Sequence, residues 1–178
     1  MLLAIDIGNS SISTGLFCMQ SGELKYTFKL SSDKERTADE YLAQMGSMFY
    51  MSGIDKNQIK GAIISSVVPK LTHTLEDCAE RLCNERPKIV GPGLKTGFAI
   101  KIDNPSELGA DLVANTAAVL GIAQRGRACI IVDMGTATTI SAINAGGEYL
   151  GNCIMPGVRV SLDSLRTETA QLPEVTLG

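Results

Sequence analysis

Two short stretches of this chain say the same thing, and that repetition limits what it can fold into more than any other feature. Leu2-Leu3-Ala4-Ile5 runs into Asp6-Ile7-Gly8-Asn9-Ser10 and a second apolar stretch. Ile130-Ile131-Val132 runs into Asp133-Met134-Gly135-Thr136 and another. Asp6 aligns with Asp133, Gly8 with Gly135 and Asn9 with Thr136. Each copy reads as a strand, a tight turn and a returning strand, the second with its incoming strand buried. Taken singly, either copy also describes an ordinary hairpin, in which Gly supplies a positive φ and Asp bonds its own backbone. Two copies with an acid and a hydroxyl or amide at the same offset point further, to two related halves facing each other across a nucleotide. A strand-end carboxylate suits a cation, and small turn residues let backbone N–H groups approach phosphate oxygens.

At 178 residues and 44% hydrophobic content, the chain has enough apolar material for one large domain or two small ones. A net charge of −3, with no long run of Lys or Arg, excludes a nucleic-acid or membrane surface. Aromatics at 4% also argue against base stacking. We read no signal peptide and no membrane-spanning run, and expect a cytoplasmic protein. The five cysteines, Cys18, Cys78, Cys83, Cys129 and Cys153, are scattered without a Cys-x-x-Cys pair and read as reduced, structural thiols. His73 with Cys78 and Cys83 does not match zinc-finger spacing.

In chain order, strands are expected at 2–6, 11–17 and 24–30. A helix capped by Thr37-Ala38-Asp39-Glu40 follows, running to about Tyr50 with Tyr41, Leu42, Met45, Met48 and Phe49 toward the core. A strand ends at Ser65-Ser66-Val67-Val68-Pro69, where proline opens a helix over about 70–84. Pro87-Lys88-Ile89-Val90 adds a short strand, giving β-β-β-α-β-α-β and a mixed sheet with helices on its faces.

Asn104-Pro105-Ser106-Glu107 carries N-cap, first-turn proline and capping-box signals for a helix running to about Ala123. Asp111 and Asn115, four apart, fall on one edge of it. An acid there is either a proton acceptor for a substrate hydroxyl or a solvated or capping side chain; spacing alone leaves both open. After the second turn, strands at about 138–143 and 148–154 flank Asn144-Ala145-Gly146-Gly147. A helix over about 160–170 follows. This second half is shorter than the first, so its sheet reads as incomplete.

Asp6-Ile7-Gly8-Asn9, Ser65-Ser66-Val67-Val68-Pro69, Lys95-Thr96-Gly97, Gly109-Ala110-Asp111, Asp133-Met134-Gly135-Thr136-Ala137-Thr138-Thr139, Ile154-Met155-Pro156-Gly157 and Leu172-Pro173 occur in one order along the whole chain. Together they resemble the motif series of type III pantothenate kinases and the related Bvg accessory factors. The resemblance implies an α/β fold of the actin-like ATPase class, built from two ribonuclease-H-like domains, residues 1–113 and a truncated second over 114–178, with the active site between them. It implies transfer of the γ-phosphoryl of ATP to the primary hydroxyl of pantothenate, giving 4′-phosphopantothenate, the first step of coenzyme A synthesis. Asp6, Gly8, Asn9, Ser10, Ser11 and Ser13 would form the phosphate turn. Thr136 would contact ATP, and Asp133 would bind a monovalent cation, K⁺ or NH₄⁺, with Mg²⁺ accompanying the nucleotide. Gly109, Ala110, Asp111 and Leu112 would meet pantothenate, with Asp111 as general base, and the protein would be a homodimer.

The chain departs from the family pattern in two places. The family motif reads Gly-Ala-Asp-Arg, its arginine expected on the pantothenate carboxylate, and here that position is Leu112; Lys101 or Arg159 are candidate substitutes. The family also continues through a further substrate threonine and an adenosine-binding glycine pair. These departures keep two alternatives open: a non-catalytic nucleotide-binding or regulatory paralogue, and a kinase whose substrate lacks a carboxylate.

Overall fold

A computed structural model of the chain describes residues 1–124 and 126–168. Leu172-Pro173 and the last two residues of the helix expected over 160–170 lie outside them. Two compact units emerge, one of residues 1–95 with 108–114, the other of residues 96–107 with those from 115 on.

The first unit is built on β1 (Leu2–Ile7), β2 (Ser11–Phe17) and β3 (Leu24–Ser31), an antiparallel meander. β4 (Gly61–Ser66) then returns parallel to β1, and β5 (Lys88–Ile89) parallel to β4, so the sheet order is β3-β2-β1-β4-β5. Because side chains alternate along a strand, β1 buries Leu3, Ile5 and Ile7 on one face and leaves Asp6 exposed on the other. Helix α1 (Ala38–Met51) contributes buried Tyr41, Met45 and Phe49 to the core, and helix α2 (Pro69–Cys83) contributes Leu71, Leu75 and Cys78. Leu42 and Met48 pack partly buried against this core, and the rings of Phe28 and Phe49 meet at 5.6 Å, tilted by 60°.

Local chemistry sets the helix boundaries. Thr37 closes a full capping box: the Glu40 carboxylate accepts from the Thr37 N–H at 2.8 Å, and the Thr37 hydroxyl accepts from the Glu40 N–H at 3.3 Å. Proline stands at the start of α2, as expected. Helix α3 differs from expectation: it spans Ala110–Ile122, and Pro105–Glu107 form a separate 3₁₀ turn. There Asn104 spends its side chain on Glu107 Oε1 at 2.7 Å, and its Oδ1 accepts from the Ser106 hydroxyl at 2.6 Å. The capping residues therefore close a turn of their own.

The second unit carries β6 (Cys129–Met134), β7 (Ala137–Ile143) and β8 (Tyr149–Pro156), an antiparallel meander, followed by α4 (Val158–Glu168). Asn144 shapes the β7–β8 turn, its Oδ1 accepting from the N–H groups of Gly146 at 3.0 Å and Glu148 at 2.9 Å. Residues 99–101 add a parallel bridge at Tyr149, which is fully buried. The expected burial of β6 does not occur: Ile130, Val132 and Met134 are 66%, 56% and 69% exposed. β6 is an edge strand of its three-stranded sheet. No helix among the described residues is long and apolar enough to cross a membrane.

The thiols divide by surroundings. Cys78 and Cys83 are buried in α2, and desolvation pushes the Cys78 thiol up to about 12 and that of Cys83 upward. All five are free, and at Cys18 hydrogen bonding from the hydroxyl of Ser21, then the backbone of Ser21 and Gln20, lowers the thiol to about 7. Alkylation at pH 7 should therefore label Cys18 well before Cys78, with a rate that is half-maximal near pH 7; faster loss of Cys78 on peptide mapping would contradict this.

Hydrogen bonding from the Thr37 backbone, then its hydroxyl, also holds the Glu40 carboxyl below the usual range. A depressed folded-state value contributes stability above the unfolded carboxyl pKa and loses it as pH falls through the folded value. Thr37→Ala should cost about 1 kcal/mol in urea unfolding at neutral pH, and Glu40→Gln should flatten the acid limb of the stability profile. An unchanged midpoint in the first variant would show that the box does not support the helix.

Candidate active site

In the first unit the Asp6 turn is a hairpin with a two-residue tip, Asn9-Ser10, both exposed. The Gly8 N–H donates to the Ser11 carbonyl at 3.0 Å, and a Cβ on Gly8 would stand 3.2 Å from that oxygen. The turn is held from the side by Ser32, which the sequence reading did not single out. Its hydroxyl donates to the Gly8 carbonyl at 2.6 Å and its N–H to the Ser10 carbonyl at 3.3 Å. Ser32 is held in turn by buried Tyr41, whose hydroxyl accepts from the Asp33 N–H at 3.0 Å and donates to the Ser31 carbonyl at 3.1 Å. A helix residue in the core thus fixes the loop that fixes the turn.

Asp6 sits opposite Ser13 on β2 and Ser65 on β4, so a hydroxyl flanks the carboxylate on each side of the sheet row. Asp6 and Ser13 are exposed, whereas Ser65 is 6% exposed and its Oγ has no hydrogen-bond partner. Such a hydroxyl ordinarily costs about 1–3 kcal/mol. Its neighbour Ser66 is fully employed, accepting from the Val68 N–H at 3.1 Å and the Thr72 hydroxyl at 2.7 Å.

Asp111 lies half-buried in the first turn of α3. The carboxylate of Asp111 lies beside Gly109, where a Cβ would meet its Oδ1. Ala110 and Leu112 are buried, at 7% and 6% exposure, so Leu112 packs as a core residue. Of the candidate substitutes for the missing arginine, Lys101 is engaged by Glu148 at 3.4 Å, and Arg159 is exposed at the start of α4.

In the second unit Asp133 is exposed one residue before the end of β6, opposite Thr139. Asn115 Nδ2 donates to Asp133 Oδ2 at 2.8 Å, so the residue four positions beyond Asp111 serves the second acid. The Gly135 N–H donates to the Ala137 carbonyl at 3.0 Å, leaving only Thr136 at the tip. Asp133 pairs with Thr139 where Asp6 pairs with Ser13, so the second hairpin is one residue tighter. Gly157 clamps it: its N–H donates to the Thr136 carbonyl at 3.0 Å, and a Cβ there would collide with the carbonyl oxygens of Gly135 and Thr136.

The donor set bears on which cations fit. No group of three or more His, Cys, Asp or Glu stands together among the described residues, so an all-protein divalent cage is not formed. A single carboxylate with one oxygen committed to Asn115 suits a weakly charged ion completed by carbonyl or hydroxyl oxygens. An exposed carboxylate such as Asp6 suits Mg²⁺ arriving on nucleotide phosphates.

The fold is mixed α/β, with solved neighbours in the actin-like ATPase and sugar kinase class. The solved activator of 2-hydroxyisocaproyl-CoA dehydratase from Clostridium difficile, with bound ADPNP, matches it at a TM-score of 0.53 and 12% identity, over 94% of this chain and 51% of that one. The profile of the type III pantothenate kinase family matches residues 2–178. The type III pantothenate kinase of Moorella thermoacetica is 42% identical over 177 residues, 99% of this chain and 68% of that protein. That of Geotalea daltonii is 44% identical with the same coverage. The chain belongs to the type III pantothenate kinase family.

Substituting Gly157→Ala should shift the Thr136 turn and lower the unfolding midpoint, whereas Gly46→Ala, in a helix with open space around it, should not. Equal midpoints for the two variants would remove Gly157 from its clamping role.

Proposed function

We propose that this chain transfers the γ-phosphoryl of ATP to the primary hydroxyl of pantothenate. The observation that carries the reading is 42–44% identity to type III pantothenate kinases across nearly the whole chain, with both Asp-x-Gly turns and Asp111 present. Phosphoryl transfer asks a protein for positioning and charge neutralisation more than for covalent chemistry. The residues from Asp6 to Ser13 present a braced turn to the phosphates, and Asp6 would hold a nucleotide-borne Mg²⁺. That ion, when bound, neutralises charge on the transferring group. Thr136 would meet ATP at the tighter hairpin, and Asp133, oriented by Asn115, would hold K⁺ or NH₄⁺.

Asp111 is the general base. The space left by Gly109 lets its carboxylate turn beside the backbone, and it acts on a hydroxyl brought within about 2.6–3.2 Å. Gly109, Ala110 and Leu112 frame the acceptor. Leu112 cannot pair with a carboxylate, so that contact passes to another cation or is absent, at a cost in affinity of about tenfold to a hundredfold. The non-catalytic paralogue is not favoured, because the base and both turns are retained. By the family resemblance, the protein works as a cytoplasmic homodimer.

Pantothenate-dependent ADP release with Mg²⁺ and K⁺ tests the assignment. Asp111→Asn should lower kcat by about 10²–10⁴-fold while nucleotide binding persists, and Asp133→Asn should weaken activation by K⁺. Full activity in Asp111→Asn would remove the base role.

A further inference from the structure

Ser65 and Ser66 are adjacent serines at the end of one strand, yet only one has work in the structure. Ser66 joins β4 to α2 through Val68 and Thr72. Ser65 is buried and its hydroxyl pairs with nothing. Register places it directly beside Asp6 on the parallel neighbour, and paired residues of adjacent strands project from the same face. The residue paired with this unused hydroxyl on β1 is therefore the acid of the phosphate turn. We propose that Ser65 is a positioning residue for Asp6: its hydroxyl donates to the carboxylate when the magnesium nucleotide is seated, and so selects the rotamer that receives the metal.

A terminal carboxylate torsion is broad, so each further donor that meets an exposed Asp narrows its orientation. Donors that orient a metal-binding carboxylate from behind typically govern affinity by about tenfold or more. The free protein gains nothing from this hydroxyl, since an unpaired buried donor opposes folding. A residue that is idle in the free state and engaged in the loaded state should separate stability from ligand affinity. The inference rests on the reading of the Asp6 turn as the phosphate site.

The test compares the full chain with Ser65→Ala, Asp6→Asn and the double variant, using calorimetric titration with metal-free ADP and with MgADP, and thermal unfolding without ligand. Ser65→Ala should unfold at the same or a higher temperature, bind metal-free ADP as before, and bind MgADP about tenfold more weakly. In the Asp6→Asn background the same change should have no further effect. MgADP affinity unchanged by Ser65→Ala, with the original chain binding normally, would overturn the inference and leave the phosphate-site reading intact. A lowered unfolding temperature with equal loss of both ligand forms would overturn it in favour of a packing role. Failure of the original chain to bind either form would overturn the phosphate-site reading and this inference together.

Discussion

The pair of hydrogen bonds from Ser32 to the Gly8 and Ser10 carbonyls is the contact on which the candidate site depends. A two-residue hairpin tip made of Asn and Ser is closed by the bond from the Gly8 N–H to the Ser11 carbonyl. Ser32 ties both flanks of the tip to the end of β3, and Tyr41 ties that end to the helical core. Phosphate recognition by backbone groups requires that those groups keep their direction without a side chain to guide them, because reorganisation at the moment of binding would consume the interaction. The core of the first unit is thus connected by a short chain of hydrogen bonds to the groups proposed to meet the nucleotide.

The second hairpin solves the same problem differently. It is one residue tighter and is held by Gly157, which approaches so closely that no side chain could stand there. Its acid is oriented by an amide from α3, where Asp6 has strand hydroxyls on either side. The repeated Asp-x-Gly offset therefore carries over between the two units, while the bracing of each turn does not.

Much of this was legible in the sequence, for identifiable reasons. Alternation in β1 and β2, the Thr37–Glu40 capping box and the proline opening α2 are local signals, and local energetics decide those elements. The start of α3 was misplaced because Asn104 and Glu107 can satisfy one another in a 3₁₀ turn as readily as they cap a helix. The exposure of β6 was invisible because an apolar run reports what a strand can bury, and burial depends on which elements lie over it. Ser32, Asn115 and Gly157 act through partners 18 or more residues away in sequence, and nothing in their neighbourhoods names those partners. The pairing of Asn115 with Asp133 is the instructive case: its spacing from Asp111 is visible in the sequence, and its service to the other acid is not.

The claim at the centre of this account is that the braced turns deliver a phosphoryl group from ATP to pantothenate. Incubating the chain with γ-labelled ATP, Mg²⁺, K⁺ and pantothenate, and resolving the products, tests it directly. The account predicts label in 4′-phosphopantothenate, formed in step with ADP. Label confined to inorganic phosphate, or retained in ATP by a chain that binds the nucleotide, would contradict it.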